Sequence, residues 1–141
     1  GPDKNILKRK ADINNSFRII GQVNHEHVQD VIRQADIGIV TYPSAGLNNV
    51  FCSSNKVYEY AHAGLPMIST CQPPLEKMFI KYKLGKLIGC AGIPSPEKTA
   101  QTIIELASDL KLYQQKLIPF LTDHSWESES ARLLSAVMKL A

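Results

Sequence analysis

Five side chains within a short stretch, Ser53, Ser54, Asn55, Lys56 and Glu59, have types and spacing suited to holding a phosphorylated ligand. A run of small polar residues ahead of an apolar-periodic segment is a helix start. A helix start presents backbone N–H groups without partners and a partial positive charge. Small residues at Ser53 and Ser54 let a ligand approach the backbone closely. Lys56 adds a full positive charge in the first turn, where the helix dipole disfavours a cation, and an anion at the same end would offset that cost. Glu59, one turn further in, can accept hydrogen bonds from two neutral hydroxyls. Phosphate at the helix end with hydroxyls one turn away is the layout of a nucleoside diphosphate and its ribose. The same residues also fit a plainer pattern, a serine cap followed by a solvated Lys56–Glu59 pair worth about a few tenths of a kcal/mol. Spacing alone leaves both open.

The surrounding sequence must position that helix. Strand-like and helix-like segments alternate along the chain. Phe17–Gly21 is a short apolar run closed by glycine, and Asn24 can cap a helix with Val28, Val31, Ile32 and Ala35 on one face. Ile37–Tyr42 is β-branched and almost wholly apolar, the pattern of a strand covered on both faces, and Pro43 stops it. Loop composition follows from Ser44 to Cys52, then the helix from Ser53 or Ser54 to about His62, ended by Gly64 and Pro66. Met67–Thr70 reads as a strand, Pro73–Tyr82 as a helix and Lys86–Gly89 as a last strand. Ser95-Pro96-Glu97 starts a helix whose apolar stripe is Ile103, Ile104, Leu106, Ala107 and Leu110, and Ser125 starts a terminal helix with Trp126, Leu133, Leu134, Val137 and Met138 turned inward. Tyr58 and Tyr60 read as packing residues. The expectation is one α/β domain over residues 3–141, a Rossmann-like parallel sheet flanked by helices, with Gly1-Pro2 a tag scar. Ligands of such sheets sit at the carboxyl ends of the strands, which puts the helix after Ile37–Tyr42 in the right place.

Four pieces in order resemble retaining glycosyltransferases of the GT-B type, family four. They are Gly21-Gln-Val-Asn-His25; Ala35-Asp36 leading through the strand to Pro43-Ser44; Ser54-Asn55-Lys56-Val57-Tyr58-Glu59-Tyr60 followed by Ala63-Gly64-Leu65-Pro66; and Ser125-Trp126-Glu127, with His124 where the family has an aromatic residue. The resemblance implies the C-terminal, donor-binding domain of a two-domain enzyme that transfers sugar from a nucleoside diphosphate, in surface-polysaccharide or glycoconjugate synthesis. It implies that Glu59 holds the ribose hydroxyls, that Ser53, Ser54 and Asn55 offer backbone N–H groups to the sugar and diphosphate, and that Lys56 neutralises a phosphate oxygen. No metal and no cofactor are expected, because the helix end and basic side chains serve instead. The partners implied are the nucleotide-sugar donor and an N-terminal acceptor domain preceding this chain, together with the first strand and its phosphate-clamping residues. A fragment without them is expected to be inactive, and the whole enzyme to be cytoplasmic, reaching the inner membrane face when its acceptor is lipid-linked. One departure stands at Phe51, eight positions before Glu59, where many members carry a second glutamate that contacts the sugar.

Composition narrows the alternatives. The chain has 141 residues, 44% hydrophobic and 21% charged, enough for one domain with a real core. Its net charge is +3 with scattered basic residues, which argues against nucleic acid. Cys52, Cys71 and Cys90 form no CxxC pair and are odd in number, the pattern of a reduced compartment. His25 and His27 lack further ligands at metal spacing. Neither a dinucleotide fingerprint nor a P-loop is present. Two other functions stay open: a nucleotide-sugar 2-epimerase of similar architecture, and a non-catalytic nucleotide-binding or scaffold domain, which Phe51 would suit.

Overall fold

The computed structural model describes residue 16 and residues 18–43, 45–89 and 94–140. Three strands, β1 (Gly38–Val40), β2 (Met67–Thr70) and β3 (Gly85–Ile88), form a parallel sheet in the order β1-β2-β3. Ile39 sits opposite Ile68, and Ile68 opposite Lys86. A short 3-10 turn at His25–His27 and helix α1 (Val28–Ile32) precede β1. Helices α2 (Leu47–Val50) and α3 (Asn55–His62) lie between β1 and β2, and α4 (Pro73–Tyr82) lies between β2 and β3. Then come α5 (Pro96–Ser108), α6 (Leu110–Asp123) and α7 (Trp126–Met138).

Side chains alternate across a strand, so neighbouring residues serve opposite faces. Met67 joins Val40, Val57, Ala61, Leu75, Phe79, Leu84, Leu117 and Phe120 on one face, where α3, α4 and α6 pack. Ile68 joins Ile88 and Leu106 of α5 on the other. Both faces are covered at β2, but at β1 the outer face is open, with Ile39 48% exposed against the expectation of a strand covered on both faces; the α/β, Rossmann-like arrangement of a parallel sheet flanked by helices is present. At about 25 cal/mol per Å² of apolar surface, each fully buried Leu, Ile or Phe here contributes roughly 1.5–3 kcal/mol relative to exposure. Two glycines are required by close approach. The ring of Tyr60 lies against Gly38, where a Cβ would collide with it, and a Cβ on Gly85 would run into the Met67 carbonyl.

The structure corrects several expectations. Residues 18–21 carry no strand, and Ile20 is 64% exposed with no strand beside it among the described residues; Phe17 lies outside the described residues. β1 is shorter than Ile37–Tyr42, and the backbone of Tyr42 has left the ladder to bond Thr70. In α5 the buried residues are Thr102 and Leu106, while Ile104 and Ala107 face solvent. The helix pattern was rotated by about one position, because Thr102 satisfies its hydroxyl on the Lys98 carbonyl and can then be buried. The largest difference is α7. None of its residues is buried, and Trp126, Leu133, Leu134, Val137 and Met138 are 54–78% exposed. Its amphipathic stripe is real, but among the described residues nothing covers it. Cys71 is disulfide-bonded, against the expectation of a reduced set, and Cys52 is a free thiol. No helix among the described residues is long and apolar enough to cross a membrane.

Candidate functional site

The predicted helix forms where expected, with Ser54 as the residue before α3 and an extended backbone there (φ −76°, ψ 125°). Val57 and Ala61 are buried on its inner side, and Tyr60 presses on Gly38 of β1. Those contacts aim the first turn of α3 at the carboxyl end of the sheet. Ser53, Asn55 and Lys56 are exposed there, Ser54 is buried, and Glu59 is half-buried one turn on. The structure thus places Ser53, Ser54, Asn55 and Lys56 at the start of a single helix, with Ser54 turned inward, and Glu59 one turn on.

Lys56 and Glu59 do not pair with each other. The Lys56 ammonium sits over the Tyr42 ring, 5.9 Å from its centroid. The Glu59 carboxylate enters no hydrogen bond or ion pair among the described residues. Its charge is felt by Tyr60, whose phenol is held above its ordinary value first by burial and then by Glu59 and Tyr42. The plain pattern of a solvated Lys56–Glu59 bridge is therefore not what forms.

A buried polar network lies directly beneath the helix start, and the motif-based reading missed it. The Tyr42 hydroxyl and Ser54 Oγ are 2.9 Å apart. The Tyr42 backbone N–H donates to Thr70 Oγ1 at 3.0 Å, and the Tyr42 carbonyl accepts from Gln72 Nε2 at 2.9 Å. Thr70 Oγ1 donates to Gln72 Oε1 at 2.7 Å, closing the ring. Ser54, Thr70 and Gln72 are each less than a tenth exposed, so each of these groups needs its partner. Tyr42 ends the apolar run of β1, and Thr70 and Gln72 end that of β2. Polar residues at the carboxyl ends of otherwise apolar strands were the available signal.

The helix starts at this end of the sheet differ in what they offer an anion. α4 begins with Pro73 and Pro74, which have no N–H. α5 begins with Pro96, and Ser95 Oγ accepts from the Lys98 amide. α3 begins with Asn55 and Lys56, and the Ser54 side chain makes no bond to its amides. Asn55 and Lys56 are exposed there, and the Val57 amide bonds the Ser54 carbonyl at 3.1 Å. Neighbouring α2 exposes Leu47, and Phe51 just after it is 61% exposed with no acidic group in its place. Cys52 is half-buried, with its thiol 3.4 Å from the Asn49 carbonyl.

Of the remaining motif residues, Tyr58 and His124 pack against Phe120, whereas Trp126 is 78% exposed. Tyr58 packs on Phe120, with ring centroids 5.3 Å apart. His124 takes the place of an aromatic residue, 4.7 Å from Phe120 and 5.5 Å from Tyr82, with Nδ1 3.0 Å from Glu129. His27 lies 3.8 Å from Asp30, and among the described residues no group of three or more His, Cys, Asp or Glu side chains gathers to hold a metal. Scans against protein-family models, curated proteins and solved structures return no significant match.

Proposed function

We propose that this chain is the donor-binding domain of a retaining glycosyltransferase that uses a nucleoside-diphosphate sugar. The diphosphate meets the N–H groups of α3 at Ser53, Ser54 and Asn55, Lys56 swings from the Tyr42 ring to a phosphate oxygen, and Glu59 takes the ribose hydroxyls. The observation that carries this reading is the uncapped, cation-bearing start of α3 at the carboxyl end of a parallel sheet, with an unengaged carboxylate one turn away. Dipole, amides and ammonium all favour negative charge there. Departure of the diphosphate builds such charge, so donors already in place act more on the transition state than on the bound donor. Phe51 offers the transferred sugar no carboxylate, so any contact it makes with that sugar is apolar. The acceptor would bind mainly on a preceding domain, and the isolated chain would bind without transferring.

The test is an amide-shift titration of the labelled domain with UDP, GDP, ADP, CMP and a nucleoside control. We expect affinity of about a millimolar, roughly 4 kcal/mol, with shifts clustered at residues 53–59 for one diphosphate and smaller ones for the nucleoside. Shifts scattered over the surface, or absent for every diphosphate, would refute the reading.

A further inference from the structure

Strand β1 is paired along one edge only. The Gly38 N–H donates to the Pro66 carbonyl at 2.9 Å, and Gly38, Ile39 and Val40 stand opposite Met67, Ile68 and Ser69 of β2. Successive residues of a strand direct their N–H and C=O groups to opposite edges, so those of Ile39 face away from β2. On that side the sheet has no further strand among the described residues. Free edges are commonly blunted by a charge or a proline, and Gly38-Ile39-Val40 carries neither. Beside this edge lies an apolar groove of about 350 Å³, whose lining includes Ile20, Ile32, Ile37, Ile39, Tyr60 and Leu65. Its walls come from both faces of the sheet. Tyr60 packs with the Met67 side and Ile37 with the Ile68 side. A strand sends alternate side chains to both faces, so a groove that straddles a strand's open edge fits another strand.

We propose that the open edge of β1 is a strand-docking site, filled by an extended segment from outside residues 1–141 that runs parallel to β1 and is apolar on both faces. The Ile39 N–H and C=O join its ladder, which continues on the far side of β1 the parallel pairing already made with β2. Its side chains enter the groove alternately on the Tyr60 and the Ile37 side, and they cover Ile39. A run of β-branched residues fits such a place, as in other strands buried on both faces. A segment with charges at alternate positions would have to bury them unpaired. The chain's own start is excluded on that ground, since residues 3–15 hold no apolar run longer than Ile6-Leu7, and Lys8, Arg9 and Lys10 follow it. A second copy joined edge to edge about a two-fold axis would pair antiparallel, whereas this sheet is parallel throughout. The inference does not depend on the ligand proposed for α3.

The probe is the peptide acetyl-Lys-Val-Ile-Val-Ile-Lys-amide, titrated into the labelled domain while sedimentation follows the mass. The control peptide has proline at its two central positions and so lacks an N–H toward either edge. With the first peptide, amide shifts should cluster at residues 37–40 and at Ile20 and Tyr60. Exchange of the Ile39 amide should slow roughly fivefold, the factor of one net hydrogen bond, with the protein still a single chain. The proline peptide should do neither. Ile39→Lys places a charge on the open edge and should abolish both effects, with unchanged β2 amides showing that the variant is folded. No shifts at residues 37–40 with the first peptide, equal shifts with the proline peptide, or undiminished binding in folded I39K overturns the inference. An Ile39 amide already protected without peptide also overturns it: a dimer by sedimentation would assign the edge to a second copy, and a monomer would assign it to the chain's own N-terminal residues.

Discussion

Replacing Glu59 by alanine should separate binding from folding. The carboxylate is half-buried and engages no partner among the described residues, so truncating it orphans no donor and opens no core cavity. Alanine is at least as good a helix former as glutamate, so α3 should not weaken. The expected change in unfolding free energy is within about 0.5 kcal/mol, as for an ordinary surface substitution. Binding should behave differently. Hydrogen bonds to a charged group are worth about 1.5–3 kcal/mol, and two neutral ribose hydroxyls would lose theirs together. That corresponds to a loss of roughly ten- to a hundredfold in affinity for a nucleoside diphosphate. Wild-type binding is expected near a millimolar, so the assay must read initial slopes of the amide shifts at residues 53–59 rather than saturation, with a denaturant melt run on the same sample. Inorganic pyrophosphate, which has no ribose, supplies the internal control and should bind both proteins alike. Equal slopes for the diphosphate in both proteins would remove Glu59 from the site. A parallel loss for pyrophosphate would show that the substitution had disturbed the helix start rather than a hydroxyl contact.

Lys56→Ala should weaken nucleoside diphosphates more than nucleosides, and an identical loss for both, read by the same titration, would remove its phosphate role. Gly38→Ala should destabilise the domain by about 1–3 kcal/mol through overpacking against the Tyr60 ring, measured as a shift in denaturant midpoint without a change in slope. Asp123 is held below its ordinary value of 3.8, first by the hydrogen bond from the Tyr82 hydroxyl at 2.8 Å and next by Lys81. A depressed carboxyl contributes stability above its unfolded value and loses it as pH falls through the lower folded value. In Tyr82→Phe a carbon-detected titration of Asp123 should therefore move back toward the ordinary value, and an unchanged titration would show that the neighbouring cations Lys81 and Arg132 set it instead.

How much of this was legible depended on whether a residue's role is local. The boundaries of β2 and α4, and the helix starts at Ser54, Ser95 and Ser125, follow from proline, glycine and serine acting within a turn of themselves, and they appear where the sequence places them. The five site residues lie close together for the same reason, Ser53 and Ser54 just ahead of α3 and Asn55, Lys56 and Glu59 in its first two turns. What failed was non-local. Residues 18–21 have the composition of a strand but need a neighbour to pair with. The stripe of α7 has the period of a packed helix, yet period says only that a face is apolar and not what lies on it. Thr102 in place of Ile104 on the buried side of α5 turns on one hydroxyl finding a backbone carbonyl one turn back. The network of Tyr42, Thr70 and Gln72 joins residues about thirty positions apart, which no short motif records.

Local and global preferences normally agree, and where they part the discrepancy is a pointer to function. At Ser54 they part. The backbone is set for a cap, the residue is a good cap, and two other serines in the same chain show what it would do if left alone. The hydroxyl instead satisfies a phenol beneath the helix. A cap to alanine change typically costs about 1 kcal/mol, and a neutral hydrogen bond is worth about the same, so the diversion brings no clear gain in stability. Its structural consequence is an α3 start without a side-chain cap beside a lysine whose charge the dipole disfavours. Each of those features is mildly unfavourable without an anion and favourable with one, which is why the start of α3, rather than the proline-led α4 or the capped α5, is where a diphosphate should be sought.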